Sequence, residues 1–277
     1  MDSQITPSEP TPASSPSVLA PPGALVFKAL TAIRDTGFHF PTSLRESTAN
    51  FKVYYHPDLA STGQDIADGV LATCERDYKI ISDYFGGITP VGIPFNVIIA
   101  SEVAGAYHWD CTSTDIYCQA KTTASPAIDF TRFALLAEVI EVFSDAQAQG
   151  WNCKASNGEG LSRVLATALY PAELGNFNSA AKWLNTPGRP DYINKTDPSD
   201  NNYVSIGCSV LFLNYLHYQL SFPWDKIVQA AAPTLGQTYS ILTGSNECLQ
   251  PFKSLLQPHY PEGTPAKLTT DNPFPLT

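Results

Sequence analysis

The pattern of apolar positions divides the chain into a first half with strands and a second half with helices only. Two aromatic and β-branched runs, at 49–56 and 93–100, are typical of strands, and shorter strands are predicted at 104–109 and 115–120. Residues 172–202 are predicted to be rich in loops. Apolar residues at helical spacing predict helices over residues 64–84, 128–149, 158–170, 203–220, 224–232, 235–242 and 248–256. This order of elements predicts an α+β fold.

Proline and serine content marks the two ends of the chain. Residues 1–24 have little apolar pattern and are predicted to form a disordered tail. Residues 261–277 are again rich in proline and are predicted to form a second tail or an extended strap. Between them we expect a sheet-bearing N-terminal subdomain with the long helix over 25–150, and a helical C-terminal subdomain over 151–260.

The charge of the chain restricts its partners. It has 16 basic and 26 acidic residues, a net charge of -10 and only 15% charged residues, against roughly 25% in ordinary domains. Phosphate backbones and anionic membrane surfaces are therefore poor partners, and no run reaches the ~20 apolar residues of a membrane span. We expect a monomer that binds a small molecule, a peptide or a glycan.

Six cysteines and the low charge favour an exported, secreted or extracytoplasmic protein with disulfides. Cys111 and Cys118 are close enough in sequence to join a hairpin, so we predict that pair. The first 23 residues lack a basic segment followed by a long apolar one, so a cytoplasmic protein with reduced thiols is the alternative. Three pairings stay open among the remaining cysteines, which are Cys74, Cys153, Cys208 and Cys248.

Carboxylates interrupt the otherwise apolar helix predicted at 128–149. Glu138 and Glu141 are three residues apart and therefore lie on one face, and Glu159 opens the next helix. The structural alternative is that Glu138 and Glu141 lie on the solvated face of their helix. Glu159 would then be at the start of its helix because a negative charge there interacts favourably with the helix dipole. If the three converge instead, a cation, a donor such as Arg163 or a bound proton must offset their repulsion.

The order of elements, the window 137–141 (Ala-Glu-Val-Ile-Glu) and a glutamate 18 residues later resemble the gluzincin branch of the zinc metallopeptidases. The resemblance covers about residues 49–220. It implies a zincin-like α+β fold, with a small mixed sheet, a long cleft helix and a mainly helical C-terminal half. It places Glu138 in the general-base position and Glu141 and Glu159 in ligand positions, with Tyr203 a weaker match to the tyrosine that stabilises the oxyanion.

The zinc motif of that family, H-E-x-x-H, is degenerate here. Ala137 offers no ligand, and Glu141 replaces an imidazole with a harder carboxylate. A divalent cation held by Glu141 and Glu159 is therefore expected to be Ca²⁺, Mg²⁺ or Mn²⁺ rather than Zn²⁺. His108, on a strand that borders the cleft, and His217 could contribute an imidazole, although a lone histidine is more often structural.

Three functions are compatible with these residues. The first is an enzyme on a metallopeptidase-like hydrolase scaffold, in which Glu138, Glu141 and Glu159 perform acid/base chemistry. The second is a catalytically inactive pseudopeptidase whose cleft binds a peptide or a glycan. The third is an active metallopeptidase with an unusual ligand set. Signatures of serine-hydrolase elbows, phosphate-binding loops and dinucleotide-binding folds are absent from the sequence.

Overall fold

A computed structural model describes residues 38–39, 41–121, 127–173 and 178–277. In this part of the chain, strands pair in the order β1-β2-β3-β5-β4, with β2, β3 and β5 parallel and the two edge strands antiparallel to their neighbours. The sheet is therefore small and mixed, as predicted. Its strands are β1 (Ser43–Ser47), β2 (Phe51–Tyr55), β3 (Phe95–Ala100), β4 (Ala106–His108) and β5 (Asp115–Gln119).

Helices make up most of the remaining described chain, and all of the regular structure after β5 is helical. A π-helical turn, Tyr215–Gln219, continues α6, and single 3₁₀ turns lie at Pro57–Leu59 and Pro171–Glu173. The helices are α1 (Ala60–Leu71), α2 (Cys74–Tyr84), α3 (Ala127–Gln147), α4 (Ser156–Leu169), α5 (Ala180–Leu184), α6 (Tyr203–Asn214), α7 (Trp224–Gln229), α8 (Leu235–Thr243) and α9 (Leu249–Leu256).

Helix α3 lies at the centre of the molecule. It is apolar on nearly all sides, which predicts burial, and Phe133, Ile140 and Phe143 are fully buried. It packs against α4, α1, α2 and the strands β4 and β5. The predicted α+β fold with a helical C-terminal half is confirmed, and α3 brings its carboxylates to the boundary between the two halves.

Two elements differ from those that the hydrophobic periodicity predicts, because tertiary contacts override the local pattern. The helix predicted over 64–84 is broken at Thr73, which leaves the helical conformation (φ -129°) and accepts a hydrogen bond from Tyr170 Oη at 3.2 Å. Strand β1 was not predicted, because four of its five residues are exposed and show no apolar alternation. It forms by pairing with β2, and Arg45 binds Asp68 of α1 through two hydrogen bonds.

The predicted Cys111–Cys118 disulfide is wrong. Cys111 is bonded to Cys153, 42 residues further along the chain, and thereby links the β4–β5 loop to the segment that precedes α4. Cys118 cannot pair with Cys111, because strand alternation turns its side chain into the core beneath β5, where it is a buried free thiol. The other free cysteines in the described chain are also buried, namely Cys74, Cys208 and Cys248.

The C-terminal segment after residue 260 contains neither helix nor strand, and two of its side chains are buried. Asp271 accepts hydrogen bonds at the start of α5, and Phe274 packs into the main core. The predicted tail at 1–24 lies outside the described residues. Among the described helices, none combines the length and the apolar character that crossing a bilayer requires.

Candidate functional site

Three of the predicted carboxylates lie together between α3 and α4. Glu138 and Glu141 are on α3 with 3% and 6% of their surface exposed, and Glu159 in the first turn of α4 is 4% exposed. Packing of α4 against α3 therefore buries the face that the carboxylates occupy. Asp145, one turn further along α3, is exposed to solvent.

Glu141 and Glu159 form a pair of neighbouring buried carboxyls. The two carboxyls are close enough to interact electrostatically, and Ser162 Oγ donates a hydrogen bond to Glu141 Oε1 at 3.2 Å. Burial, followed by repulsion from Glu159, raises the pKa of Glu141 well above its usual value. Burial also raises the pKa of Glu159, to about 7, although the charge of Arg163 opposes the shift. Both carboxyls therefore hold a proton more tightly than a solvent-exposed glutamic acid does.

Arg163 supplies a buried positive charge next to this pair. Its Nη2 and Nε donate to Glu159 Oε2 at 3.3 and 3.4 Å, from one turn further along α4. Its guanidinium also lies over the ring of Tyr203, 5.6 Å from the centroid. Tyr203, the first residue of α6, thus contacts the cation that binds Glu159 and is not part of the cavity lining described below.

His108 enters the site from the edge strand β4. Its Nδ1 lies 2.8 Å from Glu138 Oε2, at hydrogen-bonding distance, and its Nε2 lies 4.0 Å from Glu141 Oε2. The second oxygen of Glu138, Oε1, is buried and has no hydrogen-bond partner among the described residues. His217, the other candidate imidazole, lies elsewhere, within hydrogen-bonding distance of Phe222 O and stacked on Trp224.

A cavity of about 190 Å³ opens beside these groups. Its lining includes His108, all three glutamates and Cys153, so the Cys111–Cys153 disulfide forms part of its wall. At its rim, Lys154 donates to Asp110 at 3.0 Å.

The electrostatics of the site favour a bound proton or cation. Three buried carboxyl groups face one buried arginine and one imidazole. When buried carboxyls outnumber the positive charges near them, they raise one another's pKa values. The reason is that the neutral acid costs less free energy than the carboxylate in a low-dielectric interior. Of the three ways to offset repulsion that the sequence left open, the structure shows the nearby cation Arg163, and the raised pKa of Glu141 favours the second, a bound proton.

The residues present do not fit the zinc site of a gluzincin. Ala137 is buried and offers no ligand atom, and the other two ligand positions hold buried carboxyls with raised pKa values rather than imidazoles. The nearest imidazole, His108, comes from β4 and faces Glu138 and Glu141. A site with two imidazoles and one carboxylate is therefore not present among these groups.

Sequence reasoning missed two features of the site. The pairing of His108 with Glu138 spans 30 residues and two different elements, so no local spacing signals it. The position of Cys153 in the wall depends on a disulfide that joins two loops. The contact of Arg163 with Glu159 was foreseeable, since residues four apart meet on a helix surface.

Comparison with known proteins adds no assignment: no protein-family model matches the chain, and no curated protein matches it significantly.

Proposed function

We propose that this protein is a hydrolase on a gluzincin-like scaffold that uses glutamate acid/base chemistry without zinc. The observation that carries the proposal is the Glu141–Glu159 pair, in which two neighbouring buried carboxyls with raised pKa values line a cavity. A general acid and a general base are then available together near neutral pH, as proton transfer requires. The substrate class is a small molecule, a peptide or a glycan.

In the proposed reaction, the ionised Glu159 removes a proton from a water molecule in the cavity, and the protonated Glu141 gives a proton to the leaving group. Arg163 keeps part of Glu159 ionised despite burial. Ser162 orients Glu141 through the hydrogen bond from its hydroxyl. General acid/base groups of this kind contribute about 10²–10⁴-fold each to a rate.

His108 and Glu138 form a second proton-transfer pair next to Glu141. The carboxylate of Glu138 holds the imidazole through Nδ1, so that Nε2 is directed towards Glu141. In this proposal His108 contacts the substrate, and Glu138 is a positioning residue. Tyr203 acts through Arg163 and has no direct contact with the substrate.

A pseudopeptidase that only binds its ligand is the second candidate. Tyr107 Oη and Trp109 Nε1 are buried polar atoms without hydrogen-bond partners in the described chain, and both residues line the cavity. Unpaired buried donors are costly, and a polar ligand such as a peptide or glycan would pair them. We further propose a monomer in an extracytoplasmic compartment, because disulfides such as Cys111–Cys153 persist in oxidising environments.

Hydrolysis of peptide and glycoside panels, measured in EDTA on the oxidised protein, tests the enzyme proposal. We expect activity that survives the chelator and falls at least about 100-fold in Glu159→Gln and in Glu141→Gln. The rate should rise as pH increases towards about 7, where Glu159 ionises, and fall at higher pH where Glu141 loses its proton.

Asp145→Asn is the matched control, since it removes a carboxylate from the exposed face of α3. It should leave the rate unchanged. If ligands raise the melting temperature of the protein but no substrate in either panel is cleaved, the binding function replaces the enzymatic one. Activity that EDTA abolishes would contradict the zinc-free mechanism.

A further inference from the structure

Three side chains of different chemistry meet in the wall of the cavity. One ligand atom each from His108, Glu141 and Cys153 lies within 4.8 Å of the other two. The imidazole and the carboxylate are nearly fully buried, with His108 Nε2 and Glu141 Oε2 4.0 Å apart. Ligands bound to one tetrahedral Zn²⁺ are separated by roughly 3.5 Å, so shifts of about 1 Å would bring these atoms into coordination.

We propose that this cluster is a redox-gated metal site: when the Cys111–Cys153 disulfide is reduced, His108, Glu141 and Cys153 bind one Zn²⁺ ion. The site goes beyond the proposed hydrolase, although it shares two side chains with it. It is also distinct from a gluzincin site, because it uses neither position 137 nor Glu159. Metal binding therefore depends on whether Cys153 is part of the disulfide or is a free thiolate.

The orientation of His108 matches that of a metal ligand. Its Nδ1 is hydrogen-bonded to the carboxylate of Glu138, and its Nε2 is directed at Glu141. Carboxylates commonly hold the second nitrogen of a metal-binding histidine in this way, which selects the tautomer whose other nitrogen carries the lone pair. Glu138 would therefore act as a positioning residue for the metal.

Reduction is required because a thiolate binds zinc and a disulfide sulfur does not. A dithiol is the reductant. One of its thiolates bonds to Cys111 Sγ, the half-buried partner, the S–S bond breaks, and Cys153 leaves as a thiolate. The second thiol displaces Cys111, which takes up a proton. Two electrons reduce the protein disulfide, and the dithiol becomes a cyclic disulfide.

The ligand set selects Zn²⁺. One nitrogen, one sulfur and one oxygen suit a borderline-soft divalent ion, whereas Ca²⁺ and Mg²⁺ prefer oxygen alone. Glu141 releases its proton when the ion binds, and the Cys153 thiolate and the Glu141 carboxylate together then neutralise the charge of the ion, which favours its binding in a buried site. All three side chains line the cavity, which would leave room for a water molecule or a ligand as a fourth ligand of the ion.

Cobalt binding provides a direct test, because thiolate-bound Co²⁺ absorbs in the near ultraviolet. Protein is reduced with a dithiol, desalted without oxygen and titrated with Co²⁺ or Zn²⁺. We expect one equivalent to bind to the reduced protein with a thiolate-to-cobalt band, and none to bind to the oxidised protein. Glu138→Gln should weaken binding by about 10–100-fold.

Two variants form a matched pair, since both lack the disulfide and only one keeps the ligand. Cys111→Ser should bind Co²⁺ without any reductant, and Cys153→Ser should not bind it under any condition. Because Cys153→Ser keeps the four buried free cysteines, it also shows whether any of them binds Co²⁺.

Equal binding by the two variants, or the absence of the band in reduced wild type, overturns the proposal. If either variant fails to fold, reduced wild type decides the question alone, because it keeps every side chain. The outcome is separate from that of the hydrolase, which is measured on oxidised protein in EDTA. A missing cobalt band overturns only the metal site and does not affect the conclusion about hydrolysis. Likewise, a lack of hydrolysis by the oxidised protein does not affect the conclusion about metal binding.

Discussion

Two buried carboxylates in this molecule have opposite surroundings. Asp271, 7% exposed, accepts hydrogen bonds from the backbone N–H groups of Ser179 and Ala180 and from the Ser179 hydroxyl, at 2.8–3.0 Å. Glu138 is as well buried, but only its Oε2 has a partner, His108, within the described residues. The first carboxylate joins the C-terminal segment to α5, whereas the second leaves an acceptor unused beside a cavity.

This difference separates a structural carboxylate from a functional candidate. A buried charge that is fully hydrogen-bonded stabilises one conformation, since each of its partners would be left unsatisfied without it. A buried charge with an unused acceptor is costly unless something else binds there. The Glu138–Glu141–Glu159 cluster is therefore the place where a substrate, a proton or an ion is expected.

The largest effect is expected for Asp271→Asn. The amide keeps the size of the side chain but points a donor at backbone donors, so at least one hydrogen bond is lost and an N–H group is left unsatisfied. We expect the free energy of unfolding to fall by about 3 kcal/mol, measured by urea denaturation. A loss similar to that of the exposed-site variant Asp145→Asn would show that Asp271 is not structural.

An intermediate effect, dependent on pH, is expected for Glu159→Gln. Because folding raises the pKa of Glu159 from 4.5 to about 7, native wild type binds more protons than the unfolded chain between these values. This contribution to stability is complete below pH 4.5 and is lost as pH rises through about 7.

Glutamine has no such dependence, so Glu159→Gln should become more stable than wild type above about pH 7, by about 1–2 kcal/mol, and the gain should disappear in acid. Loss of the charge that binds Arg163 limits the gain. Melting curves of both proteins across this range in EDTA measure the difference. A difference independent of pH would mean that the carboxyls are not coupled.

The smallest effect is expected for Glu138→Gln. Its amide oxygen can still accept from His108 Nδ1, and its amide nitrogen takes the position of the unused Oε1 beside the cavity. We expect a change in unfolding free energy below about 1 kcal/mol, against the larger loss in Asp271→Asn. The urea midpoints of the two variants measure how differently the two carboxylates contribute to stability. Equal losses of stability would show that Glu138 and Asp271 do not differ in this respect.

The sequence by itself determined the elements whose periodicity is strong and local. The burial of α3 follows from its apolar residues, and the neighbouring positions of Glu138 and Glu141 follow from helical spacing. The α+β order and the helical C-terminal half follow in the same way, because each element was recognisable from fewer than about 20 neighbouring residues.

Only the tertiary structure decided which distant residues meet. Local periodicity carries no information about contacts between separate elements, so the break at Thr73, the edge strand β1 and the Cys111–Cys153 bond escaped prediction. The same holds for the candidate site. Helical spacing places Glu138 and Glu141 side by side, but docking of β4 and α4 on α3 brings His108 to Glu138 and Glu159 to Glu141. That docking buries the carboxyls, and burial is what raises the pKa values of Glu141 and Glu159.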